Sequence, residues 1–296
     1  MRLSIGTLGL AAVVAPAPAS AREAFFTQPS VSGSHVIVVD TATNMVVGSP
    51  ITVGANPREI AITPDGLRAY VVNSSGQSVS VIDTQTKQAV GPPIPVGQLP
   101  TGIAISPDGL RAYVSDRQTG QNDVWVIDTQ TNTTVGTPIP VGPNPGAIAI
   151  TPDGARAYVV NIGGATVSVI DLRTNQTVGQ PIAVGMGPAG IAITPNGGRA
   201  YVSNLSSDTV SVIDTATNQT VGAPIPAGDD PEPVAITPDG SRVIVGGYNP
   251  KTVTIIDTAT NQPLGTPIPL TISPNAIAVT PDGTRAYLTN DDGTAI

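Results

Sequence analysis

The chain has 296 residues, no cysteine and a formal net charge of −8, with charged residues at only 11% and aromatics at 3%. Without thiols there are no disulfides, no lipid attached through cysteine and no thiol nucleophile, and a single histidine rules out a clustered His/Cys zinc site. The acidic balance argues against nucleic acid as a partner, because phosphates call for Lys and Arg.

Residues 1–21 carry the pattern of an export signal. Arg2 supplies the positive end, 3–15 is an apolar run, and Ala19-Ser20-Ala21 is an A-x-A cleavage site. The apolar run is too short to span a bilayer, and no later run qualifies. Cleavage after Ala21 leaves 22–296 as one exported domain: periplasmic, cell-surface or secreted. A domain of that size holds without disulfides if its core is large.

From about residue 24 a single unit repeats. Residues 103–114 read Ile-Ala-Ile-Ser-Pro-Asp-Gly-Leu-Arg-Ala-Tyr-Val, an apolar strand, a tight turn and a second strand. Near-copies occupy 60–71, 148–159, 191–202, 234–245 and 277–288. The turn prolines Pro64, Pro107, Pro152, Pro195, Pro238 and Pro281 are 43, 45, 43, 43 and 43 residues apart. A period of this length carrying several short strands predicts an all-β fold, a β-propeller of four-stranded antiparallel blades.

One unit shows the four strands. The first is 102–106, followed by Pro107-Asp108-Gly109, in which Pro starts the turn and Asp-Gly tolerates its left-handed geometry. The second and third are 111–115 and 124–128, the third ending in Asp-Thr-Gln-Thr-Asn, whose side chains can bond the turn backbone. The fourth is 133–141, with Pro138 and Pro140 inside it. Proline cannot donate to a ladder, so this is the outer edge and the first strand lines the axis. The Ile-Ala-Ile alternation of the first strand sets large residues against small ones between blades.

Tyr70-Val-Val-Asn73, Tyr113-Val-Ser-Asp116, Tyr158-Val-Val-Asn161, Tyr201-Val-Ser-Asn204 and Tyr287-Leu-Thr-Asn290 join the Ser/Thr-Pro-Asp-Gly turn and the Val-Ile-Asp-Thr-x-Thr-Asn segment. In these motifs the chain resembles the YVTN β-propeller repeat family over nearly everything after residue 24. The fifth copy departs, with Ile244-Val-Gly-Gly247. The resemblance implies a secreted or surface propeller, usually seven-bladed, in a family of poorly defined biochemical role.

The turn and the third-strand aspartate (Asp40, Asp83, Asp128, Asp171, Asp214, Asp257) each occur six times. The chain opens mid-blade, with 24–27 as a degenerate second strand, and closes on first and second strands only. Six blades result if the last strands are completed by the N-terminal ones; seven result if one blade is incomplete. The abrupt end after Asp291-Asp-Gly favours seven.

Residues common to all blades are scaffold, so departures from the repeat mark candidate sites. Gly228-Asp229-Asp230-Pro231-Glu232 replaces a neutral loop. This is a solvated acidic loop or, with Asp291 and Asp292, a gathering of carboxylates for Ca²⁺ in which Asp229, Asp230 and Glu232 are the candidate ligands; the spacing matches no metal-loop motif, which favours the solvated loop. Asp116-Arg117 through Asp123 forms the loop with the two extra residues, leading to Trp125, an anchor for a partner or a filler between blades. Arg58-Glu59 begins an inner strand at the mouth of the axis, and Lys251 is a further base outside the repeat pattern. These loops share one face of the disc, where binding sits on a rigid scaffold.

Catalytic signals are thin. No Gly-x-Ser-x-Gly elbow accompanies His35, and Gly185-Met-Gly-Pro-Ala-Gly190 precedes no helix, so it is no dinucleotide motif. The reading is a monomeric, non-enzymatic, exported scaffold presenting an acidic loop face to a protein or glycan at the cell envelope. Alternatives are a metal-dependent propeller lactonase using Glu59 and Glu232, and a structural surface-layer component. Propellers host many functions, so the fold alone does not choose.

Overall fold

The computed structural model describes residues 12–14, 23–30, 33–118 and 120–289. They form six five-stranded antiparallel sheets and a seventh of two strands, set in sequence order around an axis. In blade 2 the strands are Pro57–Ile62, Arg68–Asn73 and Ser78–Asp83, with the outer fragments Gln88–Ala89 and Ile94–Pro95. Blades 3 to 6 repeat this arrangement from Pro100, Pro145, Pro188 and Pro231. The seventh blade is the pair Ala276–Val279 and Ala286–Thr289. The geometry is therefore sevenfold with one short blade among the described residues.

Blade 1 holds an addition to the sequence reading. Its second and third strands, Glu23–Ser30 and Gly33–Asp40, run where expected. Its inner strand is Ala12–Val14, inside the segment read as a leader, paired with Phe26, Phe25 and Ala24. In the full-length chain that strand packs between the inner strands of blades 2 and 7.

The expected single outer strand is split in two. In blade 3, Thr133–Thr134 pairs with Ile127 and Asp128, and Ile139–Pro140 pairs with Val124 and Asp123. Thr134 and Ile139 are five positions apart, whereas their partners Ile127 and Val124 are only three apart. The surplus bulges out at Gly136, whose φ is +71°, and at Pro138, which has no N–H to give.

The turns obey the expected side-chain logic. Ser106 donates its hydroxyl to Asp108 Oδ1 at 2.5 Å and accepts the Arg111 N–H at 3.0 Å, while Gly109 sits at φ +73°. Asp128 Oδ1 accepts the N–H groups of Gln130 and Thr131, both at 3.0 Å. These hydrogen bonds favour the ionised carboxylates, the Ser106 contact first for Asp108 and the Thr131 N–H first for Asp128, and hold their pKa values low.

The core lies between blades. Tyr70 and Val72 of blade 2 pack with Ala112, Val114 and Ile127 of blade 3, all buried. The same interlock joins blade 4 to blade 5 and blade 5 to blade 6. Each buried tyrosine also sends its hydroxyl to the asparagine that ends the third-strand turn of the next blade. Tyr70 donates to Asn132 Oδ1 at 2.7 Å, Tyr113 to Asn175 at 3.1 Å, Tyr158 to Asn218 at 2.6 Å and Tyr201 to Asn261 at 2.8 Å. Tyr287 of the short blade donates to Asn44 at 3.2 Å and Thr41 O at 3.0 Å, closing the ring onto blade 1.

The repeated arginines work across the same seams. Arg156, Arg199 and Arg285 donate to Thr215 O, Thr258 O and Thr41 O of the following blade at 2.7, 3.0 and 2.7 Å. Arg111 instead pairs with Asp128 in its own blade. No helix among the described residues is long and apolar enough to cross a membrane.

Candidate functional site

The inner strands of blades 2 to 6 each start on a proline and carry a bulge just after it. In blade 2 Pro57 pairs with Asn73 and Ile60 with Val71, so one extra residue is accommodated at Arg58-Glu59. The same shift occurs after Pro100, Pro145, Pro188 and Pro231. It turns the two residues after each proline toward the axis: Thr101-Gly102, Gly146-Ala147, Ala189-Gly190 and Glu232-Pro233 in the other blades, all lining one recess.

Hydroxyls of neighbouring blades pin these bulges. Thr27 donates to Arg58 O at 2.7 Å, Ser115 to Gly146 O at 2.7 Å and Ser203 to Glu232 O at 2.6 Å. A rigid backbone thus presents the axial side chains, which favours a preorganised site.

The recess has a cavity volume of about 290 Å³ and opens on the loop face. Its walls are uneven. Arg58, Glu59, Thr101 and Arg117 make a polar sector on blades 2 and 3; Gly146, Ala147, Ala189 and Gly190 leave the side of blades 4 and 5 free of bulk. Ile162 and Val234 add apolar surface, and Glu232, Tyr248 and Asn275 close the ring. Tyr248 donates its hydroxyl to Asn275 Oδ1.

Glu59 Oε2 accepts the Ile103 N–H of the next blade at 3.0 Å. Desolvation in the channel pushes its carboxyl up to about 7, against the lowering effect of that N–H. The contact depends on a glycine: a Cβ on Gly102 would lie 2.4 Å from Gly146 O and 3.1 Å from Glu59 Oε2. Arg58 Nε is buried with no hydrogen-bond partner. Arg117, half-buried on the loop after Asp116, is held below the ordinary arginine range by desolvation first and by the Arg58 charge second.

The structure thus brings together Arg58, Glu59, Arg117 and Glu232 from the sequence candidates. It places the others elsewhere. Asp116 is only 2% exposed, and its carboxylate accepts Gln98 N–H at 3.0 Å and Leu99 N–H at 2.7 Å. It fills the position of Asn73, Asn161 and Asn204 and braces a loop. Asp123 faces Asp116 across the ladder; desolvation first, then that neighbour, raises its pKa. Trp125 packs in the seam of blades 2 and 3, so it fills rather than protrudes. Lys251 is exposed at the start of a third strand.

Asp229 is exposed and Asp230 half-buried, and neither lines the recess, whereas Glu232 does. Asp230 N–H is accepted by Asp208 Oδ1 at 3.0 Å, which ties the acidic loop to blade 5. Asp291 and Asp292 lie outside the described residues. Among the described residues no three His, Cys, Asp or Glu side chains gather in a metal-holding group.

Tyr248 and Asn275 went unnoticed in the sequence. The signal was the departure at Gly246-Gly247: a Cβ on Gly246 would sit 2.7 Å from Pro274 and 2.8 Å from Pro233. That glycine leaves room for Pro233 and Pro274, and Tyr248, two residues on, lines the recess.

The family model described as "Lactonase, 7-bladed beta-propeller" matches residues 38–180, which include Arg58, Glu59, Thr101 and Arg117 but not Glu232 or Tyr248. No curated protein matches the chain. Among solved structures, Kuenenia stuttgartiensis hydrazine synthase is similar at TM-score 0.85 and 25% identity, over 100% of this chain and 96% of that one. A functionally unknown protein from Desulfotomaculum acetoxidans DSM 771 is similar at TM-score 0.75 and 20% identity, over 86% and 85%. The chain is thus a β-propeller similar in its first half to the seven-bladed lactonase family.

Proposed function

We propose that this protein is an exported binding propeller whose recognition site is the axial recess of the loop face, taking a glycan or protein group from the cell envelope. The observation that carries the reading is the convergence of Arg58, Glu59, Arg117 and Glu232 in one recess, when the repeat supplies only Gly, Ala or Thr at most axial positions. Charged departures from a repeat, held on a rigid ring, are the expected form of a grafted site. The test is capture of envelope glycans and proteins by the full chain and by Ala189→Trp, which fills the recess. Loss of capture in the variant supports the reading, and equal capture refutes it.

The family match supports a second reading, hydrolysis of a lactone. Glu59, with a pKa near neutrality, would take the proton of an attacking water while the arginines hold the carbonyl oxygen. Turnover of a lactone panel that Glu59→Gln abolishes would establish this reading over simple binding. Absence of turnover would leave binding alone.

A further inference from the structure

Resting on the recess as the recognition site, we propose that Arg58 and Arg117 form an oxyanion clamp for a single-carboxylate sugar acid. The sugar body lies toward Gly146, Ala147, Ala189 and Gly190. Two guanidiniums line the same wall of the recess, and neither has an ion-pair partner among the described residues. Desolvation first, and the neighbouring Arg58 charge second, make the charged form of Arg117 costly. Arg58 Nε is buried and unpartnered within that wall. A buried donor without an acceptor is costly, and an arriving carboxylate relieves both penalties at once.

The remaining walls narrow the chemistry. Glu59 and Glu232 share the recess, so a phosphate dianion would meet two carboxylates as well as two guanidiniums. A monoanion matches better, and hydroxyls on its body can donate to the same carboxylates. The chain's net charge of −8 disfavours an extended polyanion, leaving a free or terminal sugar acid. A cavity of about 290 Å³ has the size of a monosaccharide-scale site rather than a groove for a long chain.

The test is calorimetric titration of the full chain near pH 8, where inorganic phosphate is mainly a dianion and Glu59 and Glu232 are both carboxylates, with D-glucuronate, D-galacturonate and D-gluconate, beside D-glucose, inorganic phosphate and polygalacturonate. The clamp predicts saturable binding of at least one sugar acid, with glucose inert and phosphate and the polymer weaker. Arg117→Gln, on a loop outside the strands, should weaken binding about 10- to 100-fold, as should Arg58→Gln. Arg117→Lys should recover part of the loss. No binding by any sugar acid, equal binding of phosphate, or unchanged affinity in both glutamine variants overturns the clamp. If Ala189→Trp blocks envelope capture while the glutamine variants leave it intact, the clamp falls and the recess remains the site. If neither matters, both readings fall.

Discussion

Lys87 Nζ lies 2.9 Å from Glu23 Oε1, a half-buried ion pair that joins blade 1 to blade 2 at a seam without the tyrosine–asparagine link. Phe25 holds the tyrosine position there and lacks the hydroxyl; Lys87, at φ +57°, holds the asparagine position. Glu23 stands where other blades carry the bridging arginine. Both ends of the usual link have changed together, and a charge pair spans the gap. At blade 6, Ile244 replaces the tyrosine, and no third-strand turn of blade 7 is present among the described residues to receive a hydroxyl.

Lys87→Met should therefore destabilise the propeller by about 1 kcal/mol, less in high salt, since the pair is only partly shielded. The double change Phe25→Tyr with Lys87→Asn should restore most of that loss by rebuilding the neutral link. Denaturant unfolding of the single and double variants measures both effects; a double variant no better than the single would contradict the equivalence of the two seams.

Tyr158 donates to Asn218 at 2.6 Å from a fully buried ring. Tyr158→Phe leaves the packing intact and leaves Asn218 Oδ1 with only the longer contact from Arg156 Nη1 at 3.4 Å, so a loss of about 1 kcal/mol is expected. The same change at Tyr201 should cost a similar amount, because the geometry repeats. Equilibrium unfolding in urea compares them.

Blade 1 depends on Ala12–Val14 for its inner strand. A chain beginning at Arg22 exposes the inner edge of Ala24–Phe26 in the channel. It should melt several degrees below the full-length chain and exchange its amides faster at residues 24–27. Equal melting temperatures and equal exchange would show that these three residues add nothing to the closed ring.

Glu59 gives the stability a pH signature. Its carboxyl moves from 4.5 to about 7 on folding, facing Arg58 on its own strand, Arg117, Glu232 and Tyr248 across the recess. Between these values the native state holds the proton more tightly than the unfolded chain. Its part in stability is then fully present below about pH 4.5, falls as pH rises through 7, and is constant above. Glu59→Gln removes that slope, so at pH 8 the variant should be more stable than the wild type by an amount on the order of 1–3 kcal/mol and melt at a higher temperature. Parallel melting curves from pH 5 to 8 would contradict the assignment.

Gly102 brings the inner strands of blades 3 and 4 together, and a Cβ there would meet Gly146 O at 2.4 Å. Two backbones cannot yield as a side-chain tip can. Gly102→Ala should cost about 2 kcal/mol or more and disturb the Glu59 contact with Ile103. Unfolding measurements paired with sugar-acid titration check both parts.

The repeat made the propeller legible, because the turns, the outer prolines and the Ile-Ala alternation each follow from local chemistry. Arg58, Glu59 and Glu232 were legible as departures at axial positions. The seam links were not, since Tyr70 and Asn132 are 62 residues apart and each looks like ordinary scaffold within its own blade. Asp116 misled because a charged loop residue reads as exposed, whereas two backbone N–H groups hold it inside. Tyr248 and Asn275 reach the recess through the space left by Gly246, a packing effect that no single repeat displays.

The most direct measurement is hydrogen–deuterium exchange of the full chain with and without saturating D-glucuronate. The account predicts slowed exchange at residues 58–60, 102–103, 117–118 and 232–234, the walls of the recess. Protection confined to the loops around Asp123 and Asp229, or to the outer strands, would contradict recognition at the axis.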